Sequence, residues 1–255
     1  FSRFLPDSSL SQLNQKKTLQ VSSRFIDLVQ LSLWYHKSTD GFFNPLVQVA
    51  HLWYSHSFES GIFTEKNTPI NTDMSQIQVV GNTVSIGRDQ ELDFGGIGKW
   101  YAVDTAGEIL CFFGYEDFFI NAGGDIVVHG NNASGTPWVI GIENPFTGAI
   151  DSSFSLLNQA VATSGRYKRN WKIDGKNHHH IVDGHTGENR DEIMSVTLIA
   201  DECIDADVLT KKIFHLDPNE WIVAIEAHSL EWIIIAKDWK KYITSGMIPK
   251  YYFSE

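Results

Sequence analysis

The sequence predicts an α+β fold. Many short segments are rich in β-branched and aromatic residues, the turns between them favour antiparallel pairing, and helical periodicity is confined to a few irregularly spaced segments. With 255 residues, 42% of them hydrophobic, the chain is long enough for one sizeable core or two small ones. It has no internal repeat, low-complexity tract or long linker, so a single domain is expected.

The amino-terminal part is predicted to be mainly helical. Residues 22–38 carry four apolar side chains at helical spacing and end at an Asp-Gly pair, and residues 46–54 resume as a second helix. Residues 57–74 show no period and are predicted as a loop. "IQVVGNTVSI", residues 77–86, has two β-branched runs around Gly-Asn, which is typical of a hairpin.

The rest of the chain is predicted to be mostly strands. Residues 92–114 are expected to pass from a strand end through glycines into a helix, and residues 117–130 to form strand, glycine turn and strand. Helices are predicted at residues 204–216 and 218–228. An Asp-Gly turn is expected at residues 174–175. The remaining predicted strands are "PWVIGIENP", "SSFSLL", "QAVATSG", "WKID", "MSVTLIA", "EWIIIA" and "KYIT".

Charge and cysteine content exclude some functions. A formal net charge of -11 argues against nucleic-acid binding, and no apolar run approaches the roughly 18 residues of a membrane span. The sequence starts without Met or a signal-like segment, so any targeting signal is expected outside it. Cys111 and Cys203 are too few for a disulfide framework, and we expect buried free thiols rather than one disulfide.

Two glycine-rich segments are candidate ligand sites. "GGIGK", Gly95 to Lys99, precedes a predicted helix, where backbone amides and the helix dipole favour a phosphate; the alternative is a glycine turn with a solvated lysine. "NAGGD", Asn121 to Asp125, contains Gly123 and Gly124, which permit a left-handed turn or the close approach of a ligand. A plain hairpin is the alternative.

Two further segments contribute hydroxyl groups and histidines as candidate binding residues. "ATSG" places Thr163 and Ser164 at a strand end, where they offer hydroxyl and amide donors. Histidines 178, 179, 180 and 185 raise the possibility of zinc, but neighbours on a strand face opposite ways and no Cys or HExxH helix accompanies them. We therefore predict His180 as a binding histidine, with exposed histidines beside it as the alternative.

The helix at residues 204–216 carries the most informative cluster. Asp207, Thr210 and Lys211 share one face at i, i+3 and i+4. We expect Asp205 to cap the helix, Asp207 to lie in its first turn, and residues 206, 209, 213 and 216 to form the buried stripe. The alternative for Asp207 and Lys211 is a solvated pair that contributes about 0.3 to 0.5 kcal/mol.

In this order, the segments resemble the FAD:protein FMN transferase family, often called ApbE. The resemblance covers nearly the whole chain. It is carried by "FSRFLPDSSLSQLN" with its final Asn14, "TDGFFNPLV", "LDFGGIGKWYAVD", "NAGGDI", "ATSGRY", "HHIVDGHTGE" and "SVTLIADECIDADVLTKKIFHL".

The resemblance implies one α+β domain of related subdomains, with mixed, mostly antiparallel sheets, packed helices and a central FAD cleft, and it implies that the amino-terminal part of the family domain lies outside this sequence. Members use a divalent cation, usually magnesium, to transfer FMN from FAD to a Thr or Ser hydroxyl of a partner flavoprotein, releasing AMP; some hydrolyse FAD instead. They are usually exported and tethered as lipoproteins at the periplasmic side of the inner membrane, here through a segment outside the sequence.

The implied metal ligands do not all carry over. The family uses a carbonyl of the glycine segment, the helix Asp and a Thr four residues later, which here are Gly96, Asp207 and Lys211. A protonated lysine cannot ligate magnesium. Either the Lys211 ammonium occupies the position of the cation, or Thr210 becomes the ligand and Lys211 points outward. The first is favoured, because one residue turns a helical side chain by about 100°.

The full predicted site follows from the resemblance. The catalytic residues would be Asp207, Lys211 and His180, and the metal ligands Gly96, Asp207 and Thr210. Binding of FAD would involve Gly95, Gly96, Lys99, Asn121, Gly123, Gly124, Asp125, Thr163, Ser164 and His180.

Three departures from the family pattern leave the activity open. Trp100 replaces a glycine beside the expected FAD entrance, Gly184-His185 replaces Pro-Arg, and Asn44 replaces an aspartate. The first alternative to a transferase is an FAD-binding protein without catalysis, in which Lys211 replaces the metal. The second is an interaction scaffold in which Trp100 fills the flavin pocket.

Overall fold

The computed structural model describes residues 1–47, 71–168, 170–173, 176–226, 230–244 and 251–253. The chain divides into two compact units, Phe1–Gly98 with Trp171–Asn189 and Lys99–Asn170 with Arg190–Glu255. Helices and antiparallel sheets occur together, so the α+β prediction is confirmed. The single domain and the central cleft stay predictions.

The first unit begins with two helices and a small sheet. Its elements are α1 (Ser9–Lys16), β1 (Thr18–Gln20), α2 (Ser23–Ser38), β2 (Gln78–Val80), β3 (Thr83–Ser85), β9 (Asn170–Ile173) and β10 (Lys176–His179). The small sheet has the order β1-β3-β2 with antiparallel pairs, and β9 and β10 form a separate two-stranded sheet. The helix predicted at residues 22–38 and the hairpin predicted at residues 77–86 are therefore confirmed.

The strand end predicted before the glycine segment is wrong, because residues 91–97 form no strand. Side chains and the Pro45 carbonyl, which accepts the Asp93 N–H at 2.9 Å, satisfy this backbone in place of a neighbouring strand. Asn14 exchanges two hydrogen bonds of 2.8 Å with the main chain of Leu92. Asp93 accepts the Gly95 N–H at 2.6 Å and forms an ion pair with Arg3. Burial raises the pKa of Asp93, which Gly95 and Arg3 oppose.

Four predicted features lie wholly or partly outside the described residues. These are the helix at 46–54 beyond residue 47, the loop at 57–74 before residue 71, the turn at 174–175, and the last residues of the helix at 218–228. Within the described part of the chain, no helix has the length and hydrophobicity needed to cross a membrane.

The second unit contains two sheets that share one hydrophobic cluster. Its elements are α3 (Gly98–Phe112), β4 (Phe118–Asn121), β5 (Ile126–His129), β6 (Trp138–Glu143), β7 (Ile150–Leu156), β8 (Gln159–Gly165), β11 (Ile193–Ala200), α4 (Cys203–His215), α5 (Trp221–Glu226), β12 (Glu231–Ala236), β13 (Lys241–Ile243) and β14 (Tyr251–Phe253). A six-stranded sheet has the order β13-β12-β11-β8-β5-β4, and a three-stranded sheet has the order β14-β7-β6. The predicted strands of this region are confirmed.

Strands β8 and β11 are covered on both faces, and this burial fixes the directions of the predicted binding residues Thr163 and Ser164 on β8. One face joins the cluster that includes Val161, Ile199 and Phe154, and the opposite face contacts α4. Each fully buried large apolar side chain contributes about 1.5 to 3 kcal/mol. Because side chains alternate along a strand, Thr163 and Ser164 of β8 point to opposite faces, and Ser164 faces the helix.

The predicted helix cap is wrong. Helix α4 begins at Cys203, and its N-cap residue Glu202 makes no side-chain cap bond. Asp104 of α3 instead accepts the backbone N–H groups of Cys203 and Ile204, each at 2.9 Å. Burial raises the pKa of Asp104, which these two hydrogen bonds oppose. A carboxylate distant in sequence therefore performs the local role predicted for Asp205.

Burial on α4 also differs from the predicted stripe. Ala206 and Ile213 are buried as expected, but residues 209 and 216 are only partly buried. Helix α4 buries much of its surface because it contacts both β8 and β11. Asp207 is the fifth residue of the helix and so lies beyond its first turn.

The two cysteines are free thiols in different surroundings. Cys203 is buried and Cys111 is exposed near the end of α3. Burial raises the pKa of the Cys203 thiol. The expectation of buried thiols is therefore right for Cys203 and wrong for Cys111, whose side of the helix faces solvent.

Candidate functional site

Strand pairing brings the "NAGGD" and "ATSG" segments together. In the antiparallel ladder of β5 and β8, Ile126 lies opposite Val161. Asp125, just before β5, thus lies beside Thr163, and its carboxylate accepts the Thr163 N–H at 3.3 Å. The Thr163 hydroxyl lies 2.9 Å from that of Thr197 on β11. The predicted hairpin therefore delivers a buried carboxylate to the middle of the sheet.

The turn between β4 and β5 needs its glycines for their backbone conformation. Gly123 has a φ of 71° and Gly124 a φ of 102°, values that residues with a Cβ rarely adopt. Asn121 Oδ1 accepts the Gly124 N–H at 2.8 Å and so closes the turn. Among the described residues, a Cβ at either glycine would meet no atom within 4 Å. The predicted left-handed turn is confirmed, and the approach of a ligand to it stays a prediction.

Lys99 forms an ion pair with Asp125. The lysine is the second residue of α3, and its side chain is 44% exposed, whereas that of Asp125 is 4% exposed. The alternative interpretation, in which Lys99 is fully solvated, is therefore only partly right. The Lys99 ammonium is paired with the carboxylate of Asp125, 26 residues away, and no sequence pattern predicted this pair.

Helix α4 presents a second lysine and aspartate pair. Lys211 forms an ion pair with Asp207, whose side chain is 2% exposed, while that of Lys211 is 18% exposed. Asp207 Oδ1 lies 3.4 Å from the Ser164 hydroxyl, which donates to it. The predicted common face of the helix is confirmed. The solvated alternative is wrong, because the pair lies under β8.

The Thr210 hydroxyl is fully buried among groups of the same cluster. Its oxygen lies 2.6 Å from the backbone carbonyl of Asp207 and 2.7 Å from Ser164 Oγ. A hydroxyl has one proton, so it donates to one of these acceptors at a time. Thr210 therefore points back along its own helix and toward β8.

Trp100 links the two lysines. Its indole is 7% exposed, the Lys99 ammonium lies 4.7 Å from the ring centroid, and the Lys211 ammonium lies 4.3 Å from it. Both distances are within the range of cation–π attraction. Within the described residues, the buried Nε1 of Trp100 has no hydrogen-bond partner. The sequence marked Trp100 as a bulky departure that fills the flavin pocket in one alternative, and no sequence signal pointed to its contact with the two lysines.

Desolvation affects the protonation of the second pair. Burial lowers the pKa of Lys211 to about 7, and the charge of Asp125 opposes this shift. Negative charge brought by an anionic ligand would favour the ammonium form, because an opposite charge stabilises the charged state.

The remaining predicted residues lie in the first unit. Gly95 is exposed and Gly96 partly buried in the turn before α3. His180 is partly buried just after β10, and His185 Nε2 lies 2.9 Å from the Asp40 carbonyl. His179 is 1% exposed, so the alternative of exposed neighbouring histidines is wrong for it. Its surroundings include Asn189, which donates to its backbone carbonyl at 2.7 Å. The binding roles of Gly95, Gly96 and His180 stay predictions.

Across the ranges that the structure describes, no group of three or more His, Cys, Asp or Glu side chains is arranged to hold a metal ion.

Fold and site together define an α+β protein with two lysine and aspartate pairs beside one indole, in which both carboxylates are buried and Lys99 is half-exposed, flanked by strand-end hydroxyls and an open glycine turn. Two ammonium groups beside an open glycine turn suit a phosphate-bearing ligand. A sequence model of the ApbE family matches residues 1–234, and the chain belongs to this family.

Individual relatives agree with this assignment. The FAD:protein FMN transferase of Vibrio cholerae is 26% identical over 264 residues, which cover 97% of this chain and 79% of the relative. The crystal structure of the ApbE protein from Thermotoga maritima matches with a TM-score of 0.85 at 25% identity, covering 100% of this chain and 86% of that one. The flavin transferase ApbE from Vibrio cholerae gives a TM-score of 0.79 at 26% identity, covering 98% and 85% of the two chains.

Proposed function

We propose that this protein is an FAD:protein FMN transferase, which moves FMN from FAD to a Thr or Ser hydroxyl of an acceptor flavoprotein and releases AMP. Membership of the ApbE family supports the reaction. The observation that carries the proposal is the pair of ammonium groups, Lys99 and Lys211, beside one indole and next to the hydroxyl-bearing end of β8.

The reaction makes one bond and breaks one. The acceptor oxygen bonds to the phosphorus on the FMN side, the bridging P–O bond breaks, and its electron pair leaves with AMP while the hydroxyl proton passes to solvent. Lys99 and Lys211 would supply positive charge to the diphosphate. The glycine turn at 123–124 would let the ligand approach the backbone, Thr163 and Ser164 would line the site, and His180 would contact the flavin nucleotide.

Magnesium is the cation that the resemblance implies, and when bound it neutralises charge on the diphosphate and aligns the incoming hydroxyl. The residues present do not fit it at α4. The carboxylate of Asp207 is paired with Lys211 and Ser164, and the Thr210 hydroxyl faces the carbonyl of Asp207. A role of the Gly96 carbonyl as the third ligand stays a prediction. We therefore assign the chemistry to the protein's own groups.

A transfer assay tests the proposal. Purified protein is incubated with FAD and a candidate acceptor subunit, with and without magnesium, and covalent flavin is detected by fluorescence after denaturing electrophoresis while AMP is measured by chromatography. We expect both products, and neither with an acceptor whose Thr or Ser is replaced by Ala. AMP with free FMN would indicate hydrolysis. Bound FAD without AMP would indicate the binding protein, and purified protein without any flavin binding would indicate the scaffold.

The cellular location is a separate proposal. From the resemblance, we propose that the protein works at the periplasmic side of the inner membrane, tethered as a lipoprotein through a segment outside this sequence. Fractionation of cells that express the complete gene tests this, because the protein should sediment with membranes and be digested by protease added to spheroplasts. Recovery in the soluble cytoplasm would contradict it.

A further inference from the structure

We infer that the ammonium group of Lys211 takes the place of the divalent cation beside the diphosphate, so that this protein binds FAD without a metal ion. The inference rests on the proposed function, because it assigns a role to Lys211 at that same site.

The carboxylate of Asp207 is already engaged on both oxygens. Oδ1 accepts the Ser164 hydroxyl at 3.4 Å, and Oδ2 contacts the ammonium of Lys211. The side chain is 2% exposed. The ammonium lies against Oδ2 and therefore competes with a divalent cation for this carboxylate. The positive charge that a buried carboxylate requires is thus supplied from within the same helix.

Thr210 does not replace the missing hydroxyl ligand. Its oxygen lies 2.6 Å from the carbonyl of Asp207 and 2.7 Å from Ser164, and the residue is 0% exposed. Turning this hydroxyl toward a metal would leave it without these buried contacts. Of the two arrangements that the sequence left open, the geometry favours the ammonium.

Trp100 makes the surroundings suitable for an amine and unsuitable for magnesium. The Lys211 nitrogen lies 4.3 Å from the ring centroid, so the face of the indole lines one side of the position. An aromatic face attracts an ammonium. Magnesium requires six oxygen ligands in near-octahedral geometry and releases its waters reluctantly, and an indole supplies no oxygen.

The Lys211 ammonium can still bind an anion. Within the described residues, both hydrogen bonds of Lys211 go to Asp207, one to the carboxylate and one of 3.5 Å to the backbone carbonyl. An ammonium has three donors and binds phosphate as a point charge. Lys99, 4.7 Å from the same ring, provides a second charge of this kind. Two lysines would thus share the diphosphate charge that a metal would otherwise neutralise.

Titration of the unmodified protein is the first test. FAD binding is followed by flavin fluorescence in EDTA and again with millimolar Mg²⁺, and we expect dissociation constants equal within about a factor of two. An affinity raised by about tenfold or more with Mg²⁺ would overturn the inference and leave the proposed function intact. No binding of FAD under either condition would overturn both.

The substitution Lys211→Thr is the second test, because it restores a hydroxyl four residues after Asp207. We expect FAD affinity in EDTA to fall by about tenfold or more, since a charged hydrogen-bond donor is lost, and Mg²⁺ to restore it. Binding of Mn²⁺ without flavin, followed by electron paramagnetic resonance, should be seen in this variant and not in the unmodified protein.

The neighbouring substitution Lys212→Thr is the matched control. It removes the same charge from the same helix without touching the Asp207 pair, so FAD affinity should change by less than about a factor of two. The inference would be overturned if the Lys211→Thr variant bound FAD in EDTA as tightly as the unmodified protein does. Binding of Mn²⁺ to the unmodified protein would overturn it as well. If Lys211→Thr does not fold, the titration of the unmodified protein still decides.

Discussion

Two lysine and aspartate pairs contact the same indole, but the chain builds them in different ways. Asp207 and Lys211 are four residues apart on one helix, and both side chains are largely buried. Lys99 and Asp125 come from the start of a helix and the start of a strand, and the lysine is 44% exposed. Both carboxylates are buried, so the exposure of the lysine is the main difference. We therefore expect unequal contributions to stability.

The largest expected effect is on the buried pair. Lys211→Met should lower the free energy of unfolding by about 3 kcal/mol, because it leaves the carboxylate of Asp207 buried and uncompensated. Urea denaturation followed by circular dichroism measures this. Adding Asp207→Leu should recover part of the loss, since the unpaired charge is then removed. A loss below about 1 kcal/mol would show that the pair behaves like a surface salt bridge.

The second expected effect concerns the turn that delivers Asp125. Gly124→Ala should destabilise by about 1 to 3 kcal/mol, because a residue with a Cβ is strained at a φ of 102°. Gly107→Ala in α3 is the control, since an added Cβ there has only ordinary contacts of 3.7 Å or more. Ala is the better helix former, so this change should be neutral or stabilising. Equal losses for both would contradict a conformational role for Gly124.

The third effect concerns the start of the helix that carries the buried pair. Asp104→Ala should destabilise by about 1 to 2 kcal/mol through loss of the cap on Cys203 and Ile204. Because burial raises the pKa of Asp104 above its unfolded value, the pH-dependent part of its contribution is fully present below the unfolded pKa and is lost as pH rises through the folded pKa. The difference between wild type and variant in urea denaturation should therefore shrink with rising pH. A difference that grows would contradict this.

The smallest expected effect is on the exposed lysine. Lys99→Met should destabilise by at most about 1 kcal/mol, because solvent screens a half-exposed charge and Asp125 keeps the hydrogen bond from Thr163. The same urea denaturation, compared with Lys211→Met, measures the contrast directly. Equal losses for the two lysines would remove the distinction between the pairs.

Much of the candidate site could be predicted from the sequence, for two reasons. Local rules gave the left-handed turn at 123–124 and the common face of residues 207, 210 and 211, since backbone preference and helical spacing depend on near neighbours. The ordered resemblance supplied the other candidates. Their binding roles could not be predicted in the same way, because a role depends on a ligand as well as on the chain.

What the sequence by itself determined is local: helix α2, the two hairpins and the spacing of Asp207 and Lys211. The tertiary structure alone decided which groups meet across the chain. It replaced Asp205 by Asp104 as the cap, paired Lys99 with Asp125, and placed Trp100 against both lysines. The physical reason is that dihedral preferences act over a few residues, whereas burial and charge pairing depend on which surfaces pack together.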